Sequence, residues 1–305
     1  MSARTKIKDK SLINKLSPAE GILFYGLLCV LMIAVAVPFL TLVASSFSSS
    51  SLIRANGARP WIQAFSLDAY KIVFMYPGDM LYSYLVSVVV TAAGSALNIL
   101  LCAMVGYSTS RSTFRGRNIV TFFFAFTIMF QAGFVPQYIL YRNYLNLYNT
   151  WAVLILGPVV IVPHIIILRA FYAGVPGELY DAAKVDGASQ YRTCFQIATP
   201  LIAPGIATVV FYSVLTYWND PFTAMLYTDD LVPVALYLSR ITQYIEFLKY
   251  AQQNGFAGLD VAGSEIPEDT LLYAIAIATT APMLFIFTLF QRFFVRGLAS
   301  GAVKG

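Results

Sequence analysis

Catalysis, metal binding and proton transfer need particular side chains at particular spacings, and this chain has few of them. Its one histidine, His164, stands beside Pro163. The apolar stretch around it holds no carboxylate, so a proton relay would have a single member. His164 therefore reads first as a polar helix-packing contact near a proline kink, and second as a relay or substrate ligand. Cys29, Cys102 and Cys194 are far apart, lack metal-ligand spacing and read as small apolar fillers. No GxxxxGK[ST] phosphate loop is present, and the run from Ser300 to Gly305 lacks that spacing. No nucleophile–base pair stands out. The sequence thus predicts no catalytic residue, no metal site and no cofactor bound by this chain. If ATP drives it, other subunits bind the ATP and its Mg. Aromatic and amide side chains are what the apolar stretches do offer. Aromatic faces can stack on the apolar faces of sugar rings, and amides can pair with hydroxyls. On that chemistry Phe126, Gln131, Tyr212, Tyr217, Trp218 and Asn219 are candidate substrate-pathway residues. The competing reading is lipid-facing and interfacial aromatics.

The elements that must hold these residues follow from composition. Of 305 residues, 58% are hydrophobic and 11% charged, against roughly 25% charged in a soluble domain. So few charges cannot cover a water-soluble surface, which excludes soluble enzymes, and the net charge of +5 gives no reason to expect nucleic acid. An all-α integral membrane protein in contact with lipid is left. A helix crosses the hydrocarbon core with about 20 apolar residues. Six runs free of Asp, Glu, Lys and Arg qualify, at about 21–43, 80–107, 119–141, 150–168, 201–217 and 271–291. If the N-terminus is cytoplasmic, the inside connections carry fourteen Lys and Arg and the outside connections six, so both termini are expected inside a cell membrane. The first span is too long for a signal peptide and has no small-residue cleavage pattern. The expected organisation is a cytoplasmic segment 1–20, a six-helix domain 21–293, and a cytoplasmic tail 294–305. Within the domain lie an inside loop at 174–200 and a long outside loop at 218–270.

The inside loop holds the most informative pattern. Pro176 suits a helix start, and a short helix is expected from Glu178 to Val185. Ala182 and Ala183 add little bulk, so another surface can come close. Gly187 permits a backbone conformation that side chains oppose, Ser189 can cap a second helix, and Pro200 marks the return to the membrane. The outcome is a helix–Gly–helix knob, either a docking element or a compact connector. In the outside loop, Val234, Leu238, Ile241, Ile245 and Leu248 recur at helical spacing, which predicts a surface helix. Gly255, Gly258 and Gly263 then predict a turn region, and the acidic character of the loop suits contact with a solute-binding protein or a cap over the pore.

The inside loop resembles the "EAA" loop of permease subunits in binding-protein-dependent ABC importers. Asp181-Ala182-Ala183, Asp186-Gly187-Ala188 and Pro200 stand where that motif has Glu-Ala-Ala, Asp-Gly-Ala and its closing Pro. Two positions depart from it: Asp181 replaces Glu, and Thr199 replaces the Leu before the Pro. Asp keeps the charge with a shorter reach, and Thr199 is expected to affect packing. Further stretches resemble the carbohydrate branch, of the maltose-permease and oligosaccharide-permease kind. They are Phe65–Tyr70, Leu147–Thr150, Trp218–Asp220 and Gly297–Gly305. The resemblance implies a six-helix type I importer permease that docks Asp181, Ala182, Ala183, Asp186, Gly187, Ala188 and Pro200 against an ATP-binding subunit. It also implies that a glycine-rich tail, with Gly297, Ser300, Gly301 and Lys304, reaches between two such subunits. The implied partners are a second permease subunit, two ATP-binding cassette subunits and an extracytoplasmic sugar-binding protein, and the implied cargo is a sugar or oligosaccharide. Three alternatives stand beside this: a permease of the same class for polyamine, phosphate or peptide; a self-powered secondary carrier or channel, which the lack of intramembrane charges opposes; and a non-transporting membrane scaffold or enzyme, for which the loop pattern would be accidental.

Overall fold

The computed structural model describes residues 18–74, 77–130, 133–253 and 268–302. Helices dominate, and no β-strand longer than an isolated bridge occurs among the described residues. The chain divides into two compact units, residues 1–72 with 265–277, and residues 73–264 with 278–305.

In the first unit α1 (Pro18–Ser46) is apolar around its whole circumference and exposed over nearly all its length. A helix with no polar face finds its solvent in lipid. Only its last turn is buried, at Ala44, Ser45 and Ser46. There a small joint gathers α2 (Ser50–Asn56) and α3 (Asp68–Val73). The Ser48 hydroxyl accepts from the Gln63 N–H at 2.8 Å, and Ser66 N–H donates to the Phe47 carbonyl at 2.9 Å. Phe47 stacks on Tyr70 at 5.0 Å, and the Tyr70 hydroxyl donates to Ser46 Oγ at 3.0 Å. Asp68 opens α3, and Lys71 and Ser66 hold its carboxyl below the usual carboxylate range. The Phe65–Tyr70 stretch thus closes a loop onto the end of α1.

The second unit is organised on α4 (Pro77–Ser110), whose buried face carries small and polar side chains: Ser83, Ser87, Thr91, Ser95, Asn98 and Cys102. Small residues let helix backbones approach closely, which is how membrane helices gain packing energy. A Cβ on Gly94 would stand 2.3 Å from the Tyr217 ring, and one on Gly106 would stand 3.1 Å from the Arg169 N. Next come α5 (Arg117–Met129) and α6 (Phe134–Ile139), which runs into a π-helical turn over Leu140–Tyr144. They lie either side of residues 131–132, which are outside the described residues.

The expected fourth span, 150–168, is two helices, α7 (Trp151–Leu156) and α8 (Val162–Ala173). Pro158 has no N–H to give a helix, and Pro163 begins a new one with Ile161 extended before it. The broken backbone needs partners inside the unit. Asn98 supplies one, donating to the Val159 carbonyl at 2.7 Å, and its Oδ1 lies 3.0 Å from His164 Nδ1. His164 is buried in this contact, as its helix-packing reading expects.

After α8 come α9 (Gly177–Val185), α10 (Gln190–Arg192), a π-helical turn over Thr193–Ala198, and α11 (Thr199–Leu201). The chain bends by 90° into α12 (Ala203–Trp218). α4, α8 and α12 pack on one another. α13 (Pro221–Tyr227) is opened by Asp220, which accepts from the Thr223 N–H at 3.1 Å. α14 (Val234–Gln253) is the helix that periodicity predicts. Its first turns are buried against α4, with Val234 N–H donating to Ser87 Oγ at 2.8 Å. The predicted glycine turn region lies outside the described residues. α15 (Glu268–Ala302) closes the chain and belongs to both units.

Three helices are single runs long and apolar enough to cross a membrane among the described residues: Gly21–Ser46, Gly78–Ser110 and Thr270–Gln291. Two bent pairs, Arg117–Met129 with Phe134–Tyr144 and Gln190–Leu201 with Ala203–Trp218, raise the count to five if each is one span, and Val162–Ala173 is a shorter apolar helix.

Candidate functional site

The inside loop forms a defined elbow. α9 is amphipathic at short range: Tyr180 and Ala183 are buried, while Asp181 and Ala182 are exposed and Val185 is 87% exposed. Asp186 ends the helix, and Gly187 turns the chain at φ +70°. The Gly187 N–H donates to the Lys184 carbonyl at 3.1 Å and the Ala188 N–H to the Ala183 carbonyl at 2.9 Å. This paired closure is the Schellman arrangement, which favours glycine at the left-handed position. Ser189 then caps α10, accepting from the Arg192 N–H at 3.3 Å.

The buried side of the elbow is wired to α4 and α8. The Tyr180 hydroxyl donates to the Tyr172 carbonyl on α8 at 3.2 Å. Arg111, at the end of α4, lies over the Tyr180 ring at 3.5 Å. Burial pushes the Tyr180 hydroxyl above its ordinary pKa, and the charge of Arg111 opposes that. Tyr107 meets the Tyr172 ring edge-on at 5.6 Å, and its hydroxyl donates to Gln190 Oε1 at 3.1 Å. Thr199 donates to the Cys194 carbonyl at 2.8 Å, so the Tyr172 hydroxyl, 2.6 Å away, is the donor to Thr199. Pro200 lies in α11, just before the bend into α12. The geometry can carry a push on the exposed face of α9 into α4 and α8.

No family model matches the chain. Individual relatives do. It is 32% identical over 286 residues to the polygalacturonan/rhamnogalacturonan transport system permease protein YtcP of Bacillus subtilis, covering 93% of this chain and 97% of that one. The chain belongs to the permease subunits of carbohydrate ABC importers. It is also 28% identical to the arabinooligosaccharides transport system permease protein AraQ of Halalkalibacterium halodurans, over 96% of this chain and 99% of that one. A chain in the crystal structure of a bacterial ABC transporter that imports the acidic polysaccharide alginate shares the fold, with a TM-score of 0.76 and 22% identity. That match covers 91% of this chain and 98% of the other.

The described pathway residues of the permease fall on α5 and on α12 with its C-cap. Phe126, exposed on α5, stacks on Phe130 at 4.4 Å. Gln131 lies outside the described residues. Tyr212 is 50% exposed on α12, 6.5 Å from the His164 ring. Tyr217 and Trp218 are buried, and their polar atoms are committed to backbone: Tyr217 donates to the Ile155 carbonyl at 2.7 Å and Trp218 to the Thr279 carbonyl at 3.0 Å. Asn219 is exposed and donates to the Leu215 carbonyl of its own helix. In the stretch expected as a tail, Gly297, Ser300 and Gly301 belong to the last turns of α15, and Lys304 lies outside the described residues.

Two features of the permease escape a reading by composition. A groove of ≈ 810 Å³ between α5 and α6 is lined by Thr127, Phe130, Phe134, Gln137 and Tyr141. Helical spacing of Phe134, Gln137 and Tyr141 was the available signal. The other is a clamp at Asn149, which is left-handed at φ 55°. Its Oδ1 accepts from the Asp229 and Asp230 N–H groups, its Nδ2 donates to Asp230, and Tyr148 donates to Asp229. The Leu147–Thr150 stretch thereby ties two loops together.

Proposed function

We propose that the chain is one membrane half of a binding-protein-dependent importer, moving a sugar or oligosaccharide into the cell on ATP hydrolysed by partner subunits. The complete machine pairs it with a second permease, two ATP-binding cassette subunits that hold ATP and Mg, and an extracytoplasmic sugar-binding protein. Both termini are cytoplasmic, and six crossings are made by α1, α4, the α5–α6 pair, the α7–α8 pair, the bent run into α12, and α15. The skew of Lys and Arg supports that direction. Relatives named for polygalacturonan, arabinooligosaccharide and trehalose transport support a sugar cargo.

One observation carries the mechanism: α9 presents Asp181, Ala182 and an 87% exposed Val185 outward while Tyr180 is held from behind by Arg111 and Tyr172. An exposed apolar side chain on a braced helix suits docking in a cleft. When ATP closes the two ATPase subunits, the elbow follows, and Arg111 and Tyr172 pass the movement to α4 and α8. The cavity then opens outward, accepts sugar from the binding protein and reverts after hydrolysis. ATP shifts this equilibrium by binding the two states differently. The end of α15, from Gly297, reaches the ATPase pair, and the α14 loop faces the binding protein. The test is reconstitution of the copurified complex and measurement of ATP-dependent uptake over a panel of oligosaccharides. Uptake by this chain alone without ATP, or an assembly in which the elbow faces empty solvent, would overturn the assignment.

A further inference from the structure

A second groove lies at the foot of the elbow and encloses ≈ 400 Å³. Its walls come from the last turns of α4, the turn that follows it, α10 and the π-helical turn after α10, and include Met104, Tyr107, Phe114, Tyr191 and Phe195. Tyr191 is 66% exposed and Phe114 38%. Arg111 is the one charged side chain lining it. No carboxylate pairs with Arg111 among the described residues, and the sequence has none at all between Asp79 and Glu178. Arg111 spends one contact on the Tyr180 side chain, and a guanidinium with five N–H donors keeps others for a further acceptor. Gln190 accepts from Tyr107 through Oε1, which leaves its amide N–H groups as donors at the same edge.

We propose that this groove binds an anionic phospholipid, its headgroup phosphate on Arg111 and Gln190 and its acyl chain along the aromatic wall, and that occupancy sets how firmly the elbow is braced. The pairing of donors with apolar length selects the ligand class. A free phosphate would use the donors and leave the aromatic wall bare, whereas a zwitterionic lipid such as phosphatidylcholine would bring its own cation beside Arg111, Arg115 and Arg117. Arg115 and Arg117 follow within six residues of Arg111 and add to the local positive field. Because Arg111 also covers Tyr180, a phosphate on its free edge fixes the contact through which α9 meets α4. The regulatory part rests on the coupling function proposed above. The binding part does not.

The test is native mass spectrometry of the purified complex with phosphatidylglycerol or phosphatidylcholine, for wild type, Arg111→Lys, Arg111→Gln and Ser108→Trp. Wild type and Arg111→Lys should retain phosphatidylglycerol over phosphatidylcholine. Arg111→Gln should weaken phosphatidylglycerol binding by about tenfold or more while leaving phosphatidylcholine unchanged. Ser108→Trp keeps the cation but fills the groove, and should lose the lipid as well. Retention at the wild-type level in either of these last two variants overturns the proposal. So does displacement of the lipid by millimolar inorganic phosphate, which would identify a site for free anions. Uptake by reconstituted wild type should rise when phosphatidylglycerol replaces phosphatidylcholine, and Arg111→Gln should lose that response. If the lipid binds as expected but no lipid supports ATP-driven sugar uptake, the coupling function falls and the lipid site stands.

Discussion

Gly187 and Thr199 show two different ways in which one side chain governs the elbow. A Cβ on Gly187 would meet no heavy atom within 4 Å, so a substitution there is opposed by its φ of +70° alone. Valine in that conformation costs about 1–2 kcal/mol. The neighbouring contacts of Tyr180 are untouched, so Gly187→Val is expected to assemble and hydrolyse ATP while sugar uptake falls several-fold. Parallel ATPase and uptake assays in proteoliposomes check this, and normal uptake would remove Gly187 from the coupling path. Thr199 acts through a bond. Its hydroxyl passes a hydrogen bond from Tyr172 to the Cys194 carbonyl, and Tyr172 is 1% exposed. Thr199→Val removes the oxygen partner of the buried Tyr172 hydroxyl and leaves it the weaker Cys194 side chain, at a cost of about 1 kcal/mol. A lower thermal midpoint is expected, largely restored in Thr199→Ser. The two residues also differ in legibility. Gly187, Pro176 and Ser189 are local signals, readable within a few positions of the turn they make. The partner of Thr199 stands 27 residues away, and no local pattern announces it.

Among the elements, the helices that read most clearly are those that are uniform along their length. α1, α4 and α15 appear in the sequence as unbroken apolar runs because lipid or packed protein surrounds every turn. The fourth span fails as a single helix because hydropathy sums composition and ignores where the backbone loses a donor. Pro158 and Pro163 interrupt the ladder, and the freed Val159 carbonyl is taken up by Asn98, 61 residues earlier. That distance hides the role of Asn98, although a lone amide in an apolar run is itself a signal. The same Asn98 lies against His164, so one side chain serves both halves of the broken pair. Asn98→Leu would leave the Val159 carbonyl and His164 without their partner, a loss of about 1–3 kcal/mol for each stranded group. The expected result is a folded but less stable subunit with a lowered thermal midpoint in detergent. Asn98→Gln, which keeps the amide, is expected to recover part of it. A wild-type midpoint in Asn98→Leu would show that the break at 157–161 is held by other contacts. Tyr217 and Trp218 make the converse point: side chains chosen for sugar chemistry spend their polar atoms closing α12 onto the backbone of its neighbours. Gly94 leaves the space that the Tyr217 ring occupies.

At the scale of the whole molecule, everything depends on which way the chain crosses the membrane. With the six crossings proposed above, fourteen of the basic residues fall in connections on the elbow side and six on the other. A rule of charge distribution gives direction without contact geometry, and the elbow needs that direction to meet an ATPase. Val185, 87% exposed on α9, and Tyr144, 77% exposed at the end of the π-helical turn, are predicted on opposite sides. Single cysteines at these positions can be read with a membrane-impermeant maleimide after Cys29, exposed on α1, and the buried Cys102 and Cys194 are replaced. In intact cells Tyr144→Cys should label and Val185→Cys should not. In inverted vesicles the pattern should reverse, with one added feature: Val185→Cys should stay protected until the ATP-binding subunits are stripped away. Direction and docking are then separate readings of one experiment. Labelling of Val185→Cys from outside would invert the topology. Labelling from inside with no protection by the intact complex would keep the topology and remove the docking face from α9, because a side chain seated in a partner's cleft cannot also be open to a bulky reagent.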